Sequence, residues 1–246
     1  MVRFEAMPVT RNHLLAALPD EERELVIRRS RPIAVLPRDI LQRAGGVRSL
    51  ILPETFVVSL LQPLVSGELV DAASVGCEGI APAPAALGAA ETGAITVVLI
   101  GGDGWELDRS DYLDLFRALP AFRQQTLDFV ARFLDNALLD IACNRLHSVE
   151  QRLARTLLAT ADRTVDDRLP LTHEALSLML GVYRPTVTHA MSHLRHSGLV
   201  ASGRGHILLL DRPRLEGVAC NCYSVARQRV FGALQSEVQP GREPEA

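Results

Sequence analysis

Forty residues, Leu171 to Leu210, restrict the fold of this chain more than any others: LTHEALSLMLGVYRPTVTHAMSHLRHSGLVASGRGHILLL. Thr172 offers a hydroxyl cap for a helix, and Glu174 and Ala175 open its first turn. Ala175, Leu176, Met179 and Leu180 recur at helical spacing, and Gly181 ends the run because glycine tolerates a tight left-handed turn. A second helix follows over about 184–196, with Pro185 in its first turn, where a missing N–H costs little. Val187, Ala190, Met191 and Leu194 form its inner face; Arg184, Thr186, Thr188, His189, His193 and Arg195 lie outside it. Gly198 stops that helix. Leu199 and Val200, then Ile207 to Leu210, read as two short strands around an SGRG turn. The pattern predicts helix, tight turn, helix and hairpin: a winged helix-turn-helix.

Such a unit carries a definite chemistry. A helix enters the major groove of double-stranded DNA and presents side chains to base edges. Arginine binds guanine through two donors, while threonine hydroxyls and helix-start N–H groups grip phosphates. The candidate DNA contacts are therefore Thr172, Arg184, Pro185, Thr186, Thr188, His189, His193, Arg195 and, in a wing at about 203–207, Arg204. Charge distribution agrees better than net charge, which is only -3. Residues 1–141 carry 13 arginines against 19 acidic residues; residues 142–215 carry 10 arginines against 6, and six of the seven histidines. There is no lysine. A basic later domain behind an acidic front suits local nucleic-acid contact.

Ahead of that module the chain changes character twice. Residues 12–29 read as short helical pieces broken at Pro19, with Asp20, Glu21 and Glu22 favouring a helix start. Apolar runs at Ile33–Leu36, Ser49–Leu52, Thr55–Leu61, Leu69–Val75 and Thr96–Ile100 give the signature of a small β-barrel or sandwich. Ala81 to Ala90 reads as a short helix, and Gly101-Gly102-Asp103-Gly104 as a strand turn, since the lysine and Ser/Thr of a nucleotide loop are missing. Trp105 and Leu107 belong to the next strand. From Pro120 the pattern is helical to about Ala161, yielding near His147–Glu150. Leu127, Leu134 and Ile141 repeat every seven residues, Val130 and Ala137 add a partner stripe, and together they predict a dimer seam; Phe129 and Phe133 face the β region. Asp162 to Pro170 reads as a polar hinge, and Arg214 to Val238 as one or two helices packing back.

With LTHEALSLMLGVYRPTVTHAMSHLRHSGLV followed by GRGHILLLDRPRLE, the sequence resembles the bacterial transcription regulators of the cyclic-AMP receptor protein and fumarate-nitrate regulator (CRP/FNR) superfamily. Arg184, Thr186 and Val187 match the family's recognition helix; Pro185 stands where an acidic reader is common, and His189 where a second arginine is common. The resemblance implies an α+β fold in three parts. These are a β-roll sensor resembling cyclic-nucleotide-binding domains over residues 1–118, a dimerisation helix over 119–148, and a winged helix-turn-helix with a helical extension over 149–246. It implies a dimeric regulator of a palindromic promoter site, not an enzyme, with RNA polymerase as a further candidate partner. A structural or protein-binding dimer, or a regulator active without ligand, is the alternative. The sensor departs from the cyclic-AMP pattern: after Glu78-Gly79 comes APAPAALGAAETGA, and no arginine occurs between Arg48 and Arg109. A buried cyclic phosphate would lack its charge partner, so cyclic AMP is disfavoured and the effector is left unassigned.

The remaining residues suggest little chemistry. No paired catalytic carboxylates or nucleophile elbow stand out, so no enzyme is expected. Cys143 and His147 lie four apart on one helix face, with Cys220 and Cys222 nearer the end. They are four soft ligands in principle, but Cys-x-Cys on a helix projects its ligands poorly. The expectation is buried structural cysteines, no metal and no cofactor, with Cys77 in the core. No opening signal peptide or membrane-length apolar run is seen, which predicts a cytoplasmic protein without a membrane partner.

Overall fold

The computed structural model describes residues 10–232. Asn12 caps the first short helix, α1 (His13–Ala16), and Pro19 precedes α2 (Asp20–Arg29), whose three leading acids sit at its positive end. The strands follow: β1 (Arg31–Val35), β2 (Ile40–Gln42), β3 (Gly45–Gly46), β4 (Ser49–Pro53), β5 (Val57–Pro63) and β6 (Leu69–Val75). A one-turn helix α3 (Ala83–Ala86) comes next, then β7 (Glu91–Thr92), β8 (Ile95–Ile100) and β9 (Gly102–Asp108). They form antiparallel sheets in the orders β1-β9-β4 and β2-β8-β5-β6, with β3-β7 as a two-stranded flap. Leu50, Ile51, Leu52, Phe56, Val58, Val75 and Leu107 belong to the buried core of this roll.

The expected turn at Gly101–Gly104 is not one. Only Gly101 separates β8 from β9, and the chain crosses there from one sheet to the other. Gly102 and Gly104 lie within β9, where a Cβ would meet Thr55 Oγ1 at 2.4 Å and the Phe56 ring at 2.5 Å. These glycines serve close packing, not a reversal.

Two helices close the roll: α4 (Arg109–Ala118) and the 27-residue α5 (Pro120–Leu146). Glu22 of α2 accepts from the Ala121 and Phe122 amides at 3.2 and 2.8 Å, capping the start of α5 from outside the helix. Phe122 and Phe129 are buried against the roll, and Phe133 packs beside them. Phe129 reaches so deep that a Cβ on Gly79 would lie 2.0 Å from its ring. The opposite side of α5 is bare: Leu127, Leu134, Leu138 and Ile141 are 40–59% exposed.

At His147 the chain leaves the helix, and Ser148 begins α6 (Val149–Ala161) with a capping box to Gln151. Beyond it lie β10 (Arg168–Leu169), α7 (His173–Leu180), α8 (Arg184–His196), β11 (Val200–Gly203), β12 (His206–Leu209), α9 (Arg212–Val218) and α10 (Cys222–Phe231). The segment read as a polar hinge therefore contains a strand, and β10 pairs with β12 to make a three-stranded wing sheet in the order β10-β12-β11. Leu153, Leu157, Leu158, Leu176, Val187, Met191, Leu194 and Leu215 form a second core, which also takes in Val57 and Ile100 from the β-roll. The expected helical return after Arg214 is α9 and α10; Leu234 and the residues to Val238 lie outside the described part.

Candidate nucleic-acid interface

The helix pair is built by local signals. Thr172 Oγ1 accepts the Ala175 amide at 3.1 Å and caps α7. Gly181 closes that helix at φ +61°, a left-handed conformation that a side chain would strain. Pro185 then sits in the first turn of α8. Val187, Ala190, Met191 and Leu194 are buried, fixing which face turns outward. Arg152 of α6 donates to the Leu180 carbonyl, locking the turn to the helix behind it.

Arg184, Pro185, Thr186, Thr188, His189, His193 and Arg195 are all exposed along α8, and Arg204 is exposed at the tip of the β11–β12 hairpin. Gly205, at φ +74°, completes that tip. Among the described residues, Arg184, Arg195 and Arg204 face no carboxylate within 4.0 Å. The start of α8 has no side-chain cap, so its positive end is open toward an anion.

Several polar groups already have partners. Thr188 donates to the Arg184 carbonyl at 3.0 Å and contacts His173 Nδ1 at 3.1 Å. Burial, then Arg184 and Arg195, hold the His173 pKa below the ordinary histidine value, so that ring favours its neutral form. His193 contacts Glu150 at 3.3 Å and stacks edge-on against His189, ring centres 4.4 Å apart. Thr172 is half-buried with its hydroxyl committed to the cap. His173 belongs to this surface although the sequence reading passed over it; its position one residue after the cap was the available signal.

The two stripes on α5 separate. Leu127, Leu134 and Ile141 face outward, joined by Leu138, whereas Val130 packs on the β-roll core and Ala137 lines a cavity of about 160 Å³. That cavity lies between β6, α5, α6 and α10, bordered by Asp71, Arg132, Asp140, Arg155 and Tyr223. Burial raises the Asp71 carboxyl pKa to about 6. Beside it, Glu78 accepts from Arg163 Nε at 2.8 Å and from the Gly76 amide at 3.0 Å, so the carboxylate of the Glu-Gly pair is tied to the end of α6. Arg109, the first arginine after Arg48, donates to the Gly88 carbonyl at 2.9 Å, just beyond α3.

The expectation of no cofactor is overturned at the far end of α5. Cys143, His147, Cys220 and Cys222 place one ligand atom each within 4.8 Å of one another, a set able to hold a metal ion. The Cys-x-Cys pair was expected on a helix. The backbone instead turns extended at Ala219 (ψ 152°), and Cys222 is the first residue of α10, which brings both sulfurs to one side. All three cysteines are buried.

The chain thus consists of a β-roll joined through one long helix to an outward-facing helix-turn-helix and wing. Residues 151–218 match the Crp-like helix-turn-helix domain. The chain carries that domain over 68 of its 246 residues. Its fold is similar to that of a CRP-family transcriptional regulator from Thermus thermophilus, with 21% identity, 76% of this chain and 96% of that chain covered, and a TM-score of 0.63. It is also similar to the c-di-GMP responsive global regulator CLP of Xanthomonas campestris, with 16% identity, coverage of 78% and 99%, and a TM-score of 0.59. The cyclic AMP receptor protein of Thermus thermophilus is 28% identical over 113 residues, 46% of this chain and 52% of that relative. The match thus spans about half the length of that curated relative. Among the described residues, no helix is long and apolar enough to cross a membrane.

Proposed function

We propose that two copies of this chain pair along α5 and read a two-fold symmetric promoter site. Each copy inserts α8 into a major groove and lays its wing against the backbone. The observation that carries the reading is the outer face of α8. Arg184 stands exposed at an uncapped helix start, while the inner face is locked in the core. The bare stripe Leu127, Leu134, Leu138 and Ile141 supports a seam between copies. Pairing there sets two recognition helices about one DNA turn, roughly 34 Å, apart. Control by a signal at the β-roll or the long helix completes the reading.

Anisotropy titration of genomic promoter duplexes at two salt concentrations tests it. Binding should weaken steeply with salt, and Arg184→Ala should reduce affinity about tenfold or more. A loss equal on all sequences marks a phosphate contact; relaxed preference marks a base contact. Sedimentation of Leu134→Glu should show a monomer. Failure to bind any duplex at low salt, with the dimer intact, would leave the structural-dimer reading in its place.

A further inference from the structure

Two chain segments converge where the long helix ends. Cys143 lies in the last turn of α5, His147 is the residue that terminates it, and Cys220 and Cys222 flank the start of α10. The Cys143 and Cys220 sulfurs are 3.5 Å apart, and Cys222 Sγ is 3.7 Å from His147 Nδ1. Tetrahedral zinc, with Zn–S about 2.3 Å and Zn–N about 2.0 Å, sets neighbouring sulfurs about 3.8 Å apart and sulfur and nitrogen about 3.5 Å apart. The widest separation, 4.8 Å, exceeds that edge by about 1 Å, within reach of rotamer adjustment.

We propose that these four side chains bind one Zn²⁺ as a closed Cys₃His site, and that the ion clamps α10 and the DNA-reading domain to the end of the dimer helix. Soft thiolates select zinc over magnesium or calcium, and four protein ligands leave no open position for catalysis. An iron–sulfur cluster fits less well. Its irons and bridging sulfides must sit between the thiolates, which here are close enough to share a single ion. Three thiolates and Zn²⁺ carry a net charge of -1, and Arg155, which also pairs with Asp140, brings a cation beside Cys143. The joint at His147–Ser148 separates the long helix from α6, so a bond from α5 across to α10 fixes the angle at which the reader leaves the dimer helix.

The clamp's regulatory meaning rests on the regulator reading, but the ion's binding does not. Tag-free full-length chain, stripped under reducing conditions, should take up one equivalent of Zn²⁺, with the release of thiol protons. Co²⁺ in its place should show the intense visible bands of a tetrahedral thiolate site. Zinc should raise Tm by about 5 °C or more and slow amide exchange in α10 and around His147. Cys143→Ser should lower zinc affinity at least 100-fold, since losing a ligand costs more than the roughly 10–100-fold lost with an outer-shell partner. His147→Gln, at a half-buried position, checks the same loss without a core change. Octahedral cobalt, acid-labile sulfide with iron in anaerobically purified protein, or α10 exchange indifferent to zinc would each overturn the proposal. Protein that binds DNA but no zinc sinks the clamp alone; protein that binds zinc but no DNA sinks the regulator reading alone.

Discussion

Removing one partner of the Glu78–Arg163 pair should separate the sensor from the reader in a denaturation experiment. Glu78 is 7% exposed and Arg163 16%, and they lie 85 residues apart in sequence, one in the β-roll and one at the end of α6. Arg163→Ala leaves the Glu78 carboxylate buried with only the Gly76 amide. An uncompensated buried charge of this kind costs roughly 3–5 kcal/mol. With a urea m-value of roughly 2–3 kcal/mol/M, the midpoint should fall by about 1–2.5 M. Two probes resolve where the loss lands. Trp105, the only tryptophan, reports the β-roll, and far-ultraviolet dichroism is weighted to the helices. In the native protein the two curves should coincide; in Arg163→Ala the helical signal should melt first. Glu78→Gln with Arg163→Met should recover much of the loss, since glutamine keeps an acceptor for Gly76 without a charge. A midpoint change below about 0.3 M, or no recovery in the double variant, would show that the pair is solvated and that the junction is held by something else.

Two further perturbations test how the β-roll is closed. Gly79→Ala places a methyl 2.0 Å from the Phe129 ring, so it should lower stability by about 1–3 kcal/mol or more, and Phe129→Leu in the same chain should restore part of it; thermal melts of the three variants decide. The Asp71 pKa is raised from 3.8 to about 6, so the neutral acid is the form the fold favours: stability is whole below pH 4 and is lost as pH rises through 6. Asp71→Asn should therefore gain on the order of 3 kcal/mol at pH 7 and almost nothing at pH 4 in urea titrations, and an equal difference at both pH values would contradict that sign.

Where local chemistry decides the structure, the sequence is readable. Thr172, Gly181, Pro185 and the inner face of Val187, Ala190, Met191 and Leu194 specify α7 and α8 within a few residues of each other, and the structure places them there. The β-roll strands of five or more residues were legible for the same reason. Strands β2, β3, β7 and β10 were not: two or three residues give no alternation, and their partners lie far along the chain. The glycines of β9 were misread because turn and close packing both demand glycine, and only the facing Phe56 distinguishes them. The metal-competent set was discounted because its halves stand 77 residues apart and because a helix was assumed through Cys220 and Cys222. The extended Ala219 that invalidates the assumption has no sequence signature of its own.

The second core limits how a signal can move the reader. Val57 and Ile100 are β-roll residues, yet they are buried among the side chains of α6 to α9. Withdrawing them would expose two aliphatic side chains, each worth about 1.5–3 kcal/mol, and would part the Glu78–Arg163 pair, whose two charges would both be hydrated, so that its net cost is small. An effector that drives a two-state change from 1:99 to 99:1 must supply about 5.5 kcal/mol of differential binding, and exposing that apolar surface adds a cost of similar size. Opening the β-roll from the helix-turn-helix half inside one copy is therefore the costly route. In the proposed dimer, a shift between copies along the exposed Leu127–Ile141 stripe would leave both contacts intact and change the spacing of the two α8 helices directly. The cysteine set at the end of α5 lies on the boundary between these routes. A bound ion would stiffen the joint inside each copy, and its loss would lower the barrier to the first route without touching the seam.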